Sequence, residues 1–198
     1  MFNLGRLNEE LARLVSQART GLVQINNGGR GVGAGTVWHP EGLIVSNAHV
    51  AGNGRKSIAV TLPDGQVLPA RLLARDKSSD LAAIAIEANN LPVIEVGHSH
   101  TLQPGDLVLA VGHPWGVLGA ATMGVVIAVD VPLEMPRMNR ELIQVSLHLR
   151  PGHSGGPLVD VEGKLVGVNT MMAGPDVGMA IPVDEVKRFL KHRLGTVE

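Results

Sequence analysis

An all-β fold of two barrels, with a helix at each end, is predicted for this 198-residue chain. Beyond Gly21 the sequence breaks into many short runs of Val, Ile, Leu and Ala separated by glycine and proline, the pattern of an all-β barrel or sandwich. A polar stretch rich in breakers, Gly97 to Gly105, divides those runs into halves of similar size. Apolar residues make up 44% and aromatic ones 2%, so the chain can bury a core and that core is aliphatic.

At the N-terminus Leu4, Leu7, Leu11, Leu14 and Val15 recur at steps of three and four, which predicts an amphipathic helix over 4–19. Strands are expected at 22–26, 33–38, 43–46, 57–62, 66–75 and 81–86, then at 107–111, 121–129, 141–146, 157–160, 164–170 and 177–181. Pro40-Glu41-Gly42, Asp64-Gly65 and Glu162-Gly163 fall between such runs and read as hairpin turns. A last helix is expected over 183–193, with Val183, Val186, Phe189 and Leu190 as its apolar face. Its acids lie at the start and its bases at the end, as the helix dipole favours, so the basic cluster there needs no ligand. The expected segments are a helix at 1–20, a first barrel at 21–97, a linker at 98–105, a second barrel at 106–182, and a helix with tail at 183–198.

A formal charge of -1 gives no electrostatic case for nucleic acid as partner. Absence of cysteine removes disulfides, thiolate nucleophiles and cysteine metal sites. The opening Met1-Phe2-Asn3-Leu4-Gly5-Arg6 lacks the apolar core of a signal peptide, and no run has the length of a membrane span. The location is left open: cytoplasmic is the expectation if Met1 is native, and periplasmic or membrane-tethered if upstream residues were removed.

Three segments carry chemistry. In Gly152-His153-Ser154-Gly155-Gly156-Pro157-Leu158 the glycines permit a tight turn that side chains would block, and the amides of Gly152 and Ser154 can converge on one spot. His49 closes the apolar run Leu43-Ile44-Val45-Ser46-Asn47-Ala48, where a histidine can face a cleft. Asp80 precedes the apolar run 81–86, and Asp76, in a more charged stretch, is the weaker rival. A nucleophilic serine needs a base to take its proton and an acid to orient that base, and His…Asp…Ser is the chain order of the chymotrypsin arrangement. A competent triad would place Ser154 near His49 Nε2 and Asp80 near His49 Nδ1. His98 with His100 and His148 with His153 offer paired zinc ligands, but no zincin motif or cysteine supports such a site. No metal or other cofactor is expected.

These residues resemble the HtrA/Deg family of trypsin-like serine proteases from about residue 20 to 193. Gly31 to Val37 is similar to that family's glycine-rich first strands, Leu43 to Val50 to its histidine segment, and Ser79-Asp80-Leu81-Ala82 to its aspartate segment. Ala110 to Gly116 resembles its Gly-Asn-Pro-Phe-Gly element, and Lys164 to Thr170 with Met179 to Pro182 its last strands. His153 stands where the family usually has asparagine. Residues 26–31 are too few for the regulatory loop some members insert, and the length leaves no room for the usual PDZ domain.

The resemblance implies two six-stranded antiparallel barrels with His49, Asp80 and Ser154 in the cleft between them, and an oxyanion loop of Gly152, His153 and Ser154. It implies a serine endopeptidase acting through an acyl-enzyme on unfolded or damaged proteins, in protein quality control, assembled as a homotrimer. A catalytically silent binding scaffold or holdase is the alternative. His153 offers no carboxylate to pair with a new amino terminus, so activation by N-terminal cleavage is not expected. The specificity pocket would be lined by His148, Leu149, Thr170, Met171, Met172, Gly178, Met179 and Ala180. Its aliphatic and thioether walls favour Val, Leu, Met or Ala before the scissile bond, unless His148 receives an acidic side chain instead.

Overall fold

The computed structural model describes residues 4–28, 32–54, 56–132 and 141–195. Residues 1–3 and 196–198 of the expected end segments, and residues 29–31 of the expected short loop, lie outside them.

Six strands form the first barrel: β1 (Leu22–Asn26), β2 (Val32–His39), β3 (Leu43–Asn47), β4 (Ile58–Thr61), β5 (Val67–Asp76) and β6 (Leu81–Ile86). Six more form the second: β7 (Leu107–Gly112), β8 (Ala120–Pro132), β9 (Glu141–Val145), β10 (Pro157–Asp160), β11 (Leu165–Gly174) and β12 (Val177–Pro182). Both sheets are antiparallel and closed, the first in the order β1-β2-β3-β6-β5-β4 and the second in the same pattern from β7. Closure leaves neither sheet an open edge, which suits strands this short and this apolar. Small residues allow it: a Cβ on Gly35 would lie 2.7 Å from Ile25 Cδ1 and 2.8 Å from Ile44 Cγ2 inside the first barrel.

Helix α1 (Leu4–Thr20) docks from Leu11 onward. Leu14 and Ala18 are buried against Leu109, Val111 and Val159 of the second barrel, whereas Leu4 is 71% exposed. The apolar stripe read from the sequence is thus longer than the face the barrel covers. A single helical turn, α2 (Ala48–Ala51), follows β3, where the sequence suggested a strand end. Helix α3 (Val183–Leu194) lies across the joint: Val186, Phe189 and Leu190 pack with Val45 and Leu81 of the first barrel and with Val168 and Ile181 of the second. This shared aliphatic cluster holds the facing sides of the barrels in one arrangement, and those sides carry the candidate site.

The segment between barrels is tied to α3. Asp184 accepts from the N–H and hydroxyl of Ser99 and from His100 Nδ1, and Lys187 Nζ donates to Gly97 O.

Candidate active site

His49 stands on α2, which begins where β3 meets β6. The turn before β6 puts Asp80 at a positive φ of 56°, and its carbonyl accepts the Ala48 N–H at 3.0 Å. That backbone link brings the Asp80 carboxylate under the histidine. Oδ1 accepts the His49 N–H at 3.1 Å, and His49 Nδ1 lies 3.0 Å from Oδ1 and 2.9 Å from Oδ2. From the second barrel, Thr170 Oγ1 donates to Oδ2 at 2.8 Å. A carboxylate facing Nδ1 on both oxygens fixes the proton on that nitrogen and leaves Nε2 as the basic lone pair. Burial works to raise the Asp80 pKa, but the hydrogen bonds and charge of His49 and the Thr170 hydroxyl outweigh it and hold it below the ordinary value.

Ser154 stands on the loop between β9 and β10. The His153 N–H donates to Arg150 O at 2.9 Å, closing a turn across Pro151 and Gly152 with Gly152 at φ +109°. A positive φ there favours glycine, and a Cβ on Gly152 would lie 2.2 Å from His113 O. Pro151 O accepts from Trp115 N at 3.2 Å. In a trans peptide the N–H opposes the C=O, so the Gly152 N–H points away from Trp115. Among the described residues neither the Gly152 nor the Ser154 N–H meets a protein acceptor. Both residues line one recess with His49, Val50 and Gly33. Two unspent donors beside a hydroxyl form a place for a developing oxyanion.

The first barrel locates this loop. Ala34 N donates to Ser154 O at 2.8 Å and Thr36 Oγ1 to Gly155 O at 3.2 Å. Ser154 Oγ itself donates to Thr170 O at 2.7 Å. The serine hydroxyl is therefore turned toward β11 rather than engaged with His49, a difference from the pairing expected of a competent triad. Thr170 is the residue sequence reasoning undervalued: read as a pocket wall, it grips Asp80 by its hydroxyl and Ser154 by its carbonyl. No local signal marks it, because its partners are 90 and 16 residues away in sequence.

Other expectations need correction. His153 cannot serve the oxyanion through its amide, which is spent on Arg150 O, and its side chain is buried with Nε2 unpartnered. Burial holds its pKa below the usual histidine value, helped by the Arg150 charge and against a backbone hydrogen bond. The His113 backbone N–H donates to Gly152 O at 2.9 Å, and burial holds the His113 pKa below the usual value against a backbone hydrogen bond at Val23, with the charges of Arg19 and His153 adding to the lowering. Of the expected pocket, Leu149, Met172, Gly178 and Ala180 come together: a Cβ on Gly178 would lie 3.1 Å from Leu149 Cγ, and Leu149 N donates to Met172 Sδ. Met179 is fully buried in the cluster between the barrels, and Met171 packs on that side as well, so neither faces Leu149. Strand alternation dictates this, since neighbouring residues point to opposite faces. His148 turns outward, Nδ1 2.7 Å from Asp176 Oδ1, so its imidazole is matched to a carboxylate of this chain. A zinc site at His148 with His153, which the sequence did not favour, is not formed here: His153 Nδ1 faces the Arg150 backbone. His98 and His100 meet Asp184 closely enough for an ion, but that carboxylate is already spent on Ser99, His100 and Lys187.

Comparison with known proteins agrees with this architecture. Residues 33–168 match the model of the trypsin-like peptidase domain. The chain is 36% identical over 168 residues to the putative serine protease HhoB of Synechocystis, covering 82% of this chain and 40% of that protein. It is 39% identical over 164 residues to the mitochondrial serine protease HTRA2 of Drosophila willistoni, covering 81% of this chain and 38% of that one. The chain thus spans about two fifths of the length of these curated relatives. Among solved structures, the HtrA-type protease AlgW with tripeptide superposes at TM-score 0.83 with 32% identity, over 90% of this chain and 62% of that one. AlgW with decapeptide gives 0.83 and 27%, over 93% and 68%.

Proposed function

This chain belongs to the trypsin-like serine peptidases of HtrA type, and from that premise we propose that it is an endopeptidase cutting unfolded polypeptides through an acyl-enzyme. One observation carries the reading: a histidine held by a buried carboxylate lines one recess with Ser154 and Gly152, whose amides are unspent among the described residues.

In the proposed reaction Ser154 Oγ leaves Thr170 O by rotation about χ1 and attacks the scissile carbonyl carbon, passing its proton to His49 Nε2. Asp80 stabilises the imidazolium that forms. The carbonyl oxygen gains the electron pair and is held by the Gly152 and Ser154 N–H groups, each such donor contributing about 3 kcal/mol. Collapse expels the amine, which takes the proton from His49. Water then repeats the sequence on the ester, with His49 as base, and frees Ser154.

Leu149, Met172 and Gly178 support a pocket for an aliphatic side chain before the scissile bond. His148 is paired with Asp176 and solvent-exposed, which argues against an acidic residue there. Selectivity among Val, Leu, Met and Ala should be loose, because one methylene in such a pocket changes binding by about 1–3 kcal/mol. Digestion of an unfolded protein, with the new ends sequenced by mass spectrometry, tests both parts. Cuts after aliphatic residues are expected, absent in Ser154→Ala. Cuts chiefly after Asp, Glu, Lys or Arg would overturn the pocket, and intact substrate would overturn the endopeptidase. The Ser154–Thr170 hydrogen bond favours a second reading, a silent binding scaffold, and that last outcome would select it.

A further inference from the structure

Beside the recess that holds His49 and Ser154 lies a second one, and its charge is one-sided. Lys56, Arg75 and Lys77 line it together with Asn27 and Asn53, and no carboxylate does. In a chain of net charge -1 such a concentration is not a consequence of composition.

The local structure explains how the cations gather. Asp76 falls between Arg75 and Lys77 in sequence, at the end of β5, where alternate residues share a face. Its carboxylate is turned away, accepting from Ser78 Oγ at 2.6 Å and from Arg193 at 3.2 Å. Arg75 is anchored by Nε on Ala48 O at 2.9 Å, at the start of the turn that carries His49. Lys56 Nζ reaches Gly28 O at 3.3 Å, a neutral partner. Asp80, the carboxylate beside α2, is committed to His49 and Thr170. Three cations around one concavity repel one another and concentrate a positive potential in it, so an incoming carboxylate relieves that repulsion.

The recess also has an address. Asn27 lines both it and the recess of His49, Gly152 and Ser154, and its Nδ2 donates to Val50 O at 2.9 Å, joining the two walls. The aliphatic pocket of Leu149, Met172 and Gly178 contributes nothing to either wall. A polypeptide with its aliphatic residue in that pocket, crossing Ser154 to the opposite side of the recess, would bring the part released as the amine to Asn27.

Resting on the endopeptidase reading above, we propose that the Lys56–Arg75–Lys77 recess is a substrate subsite for an aspartate or glutamate on the leaving-group side of the scissile bond. Exposed charges act mainly at low salt, where an acidic residue there should improve binding about tenfold over its amide.

The test uses the full chain with Ser154→Ala, so that binding is read without cleavage. Fluorescent peptides carry one aliphatic residue and differ only in Glu or Gln, placed on either side of it, and anisotropy is followed at low and high salt. The expected result is tighter binding of the Glu peptide with the acid after the aliphatic residue. That advantage should vanish at high salt and in Lys56→Gln/Lys77→Gln, and invert in Lys56→Glu/Lys77→Glu. Equal binding of the Glu and Gln peptides would overturn the proposal. So would an advantage that survives in Lys56→Gln/Lys77→Gln, or one that is as large with the acid before the aliphatic residue. Free phosphate as competitor distinguishes a site for any anion: displacement of the Glu peptide by phosphate as effective as that by unlabelled Glu peptide would overturn the substrate assignment. Fluorophosphonate labelling of the protein with Ser154 intact separates the two readings. Labelling without acid preference removes this subsite alone, and acid preference without labelling removes the endopeptidase alone.

Discussion

In the first barrel, His49 and Asp80 stand beside paired strands, and every oxygen of the carboxylate is bonded. In the second, Ser154 stands on a loop turned by glycines at positive φ, with two amides unspent and a hydroxyl on a backbone carbonyl. The base and its orienter are thus fixed by sheet geometry, while the nucleophile and the oxyanion donors depend on a loop that the first barrel grips at Ala34 and Thr36. First-barrel changes at the site should therefore act on catalysis with the loop intact, and loop changes should act on folding as well.

The sharpest break is Asp80→Asn. An amide in place of the carboxylate favours the wrong tautomer of His49, and kcat should fall about 10⁴-fold, with little change in urea midpoint. Loss of folding on the same scale as loss of activity would contradict the division.

Gly155→Ala should do the reverse. Its φ is +86° and an added Cβ would meet Ala34 O at 2.0 Å, so the loop cannot keep its grip on β2. Destabilisation of about 3 kcal/mol or more is expected in urea unfolding. A variant of unchanged stability would show that the loop is not held as described.

Thr170→Val asks how the halves communicate. It deletes the hydroxyl on Asp80 but keeps the carbonyl that accepts from Ser154. A loss of about tenfold in kcat is expected from one charged hydrogen bond, with the acid limb of the pH–rate profile shifted. An unchanged profile would make Thr170 a packing residue only.

The smallest effect concerns pH. Burial keeps His153 and His113 below the usual value of roughly 6.5, so as pH falls the unfolded chain takes up protons first. Their contribution is complete above that value and is lost as pH drops through it toward the depressed folded values. His153→Asn should therefore flatten the fall of stability with acid, read from melting temperature against pH. An identical slope would remove His153 from the account.

The same contrast explains what was legible in the sequence. Strands such as 22–26, 81–86 and 157–160 appear at the expected residues because their apolar runs and turn residues are local signals. Glycine around Ser154 marked a tight turn for the same reason. Helix α2 has no signal in the sequence, since one turn of Ala48-His49-Val50-Ala51 has no period to read, and Asp80 O accepts the Ala48 N–H at its start across 32 residues. Thr170, the outward turn of His148 to Asp176 and the burial of Met179 between barrels are likewise decided by distant partners. The exposed Leu4 end of α1 shows the converse, a periodic signal that the packing does not use.

Everything rests on Ser154 becoming a nucleophile against His49 despite its hydrogen bond to Thr170. Reaction of the folded protein with a fluorophosphonate, followed by peptide mapping, asks this directly. One adduct is expected, on Ser154, formed faster as His49 loses its proton and abolished in His49→Ala. No adduct on the folded protein, or adducts no faster than on denatured chain and unchanged in His49→Ala, would contradict it.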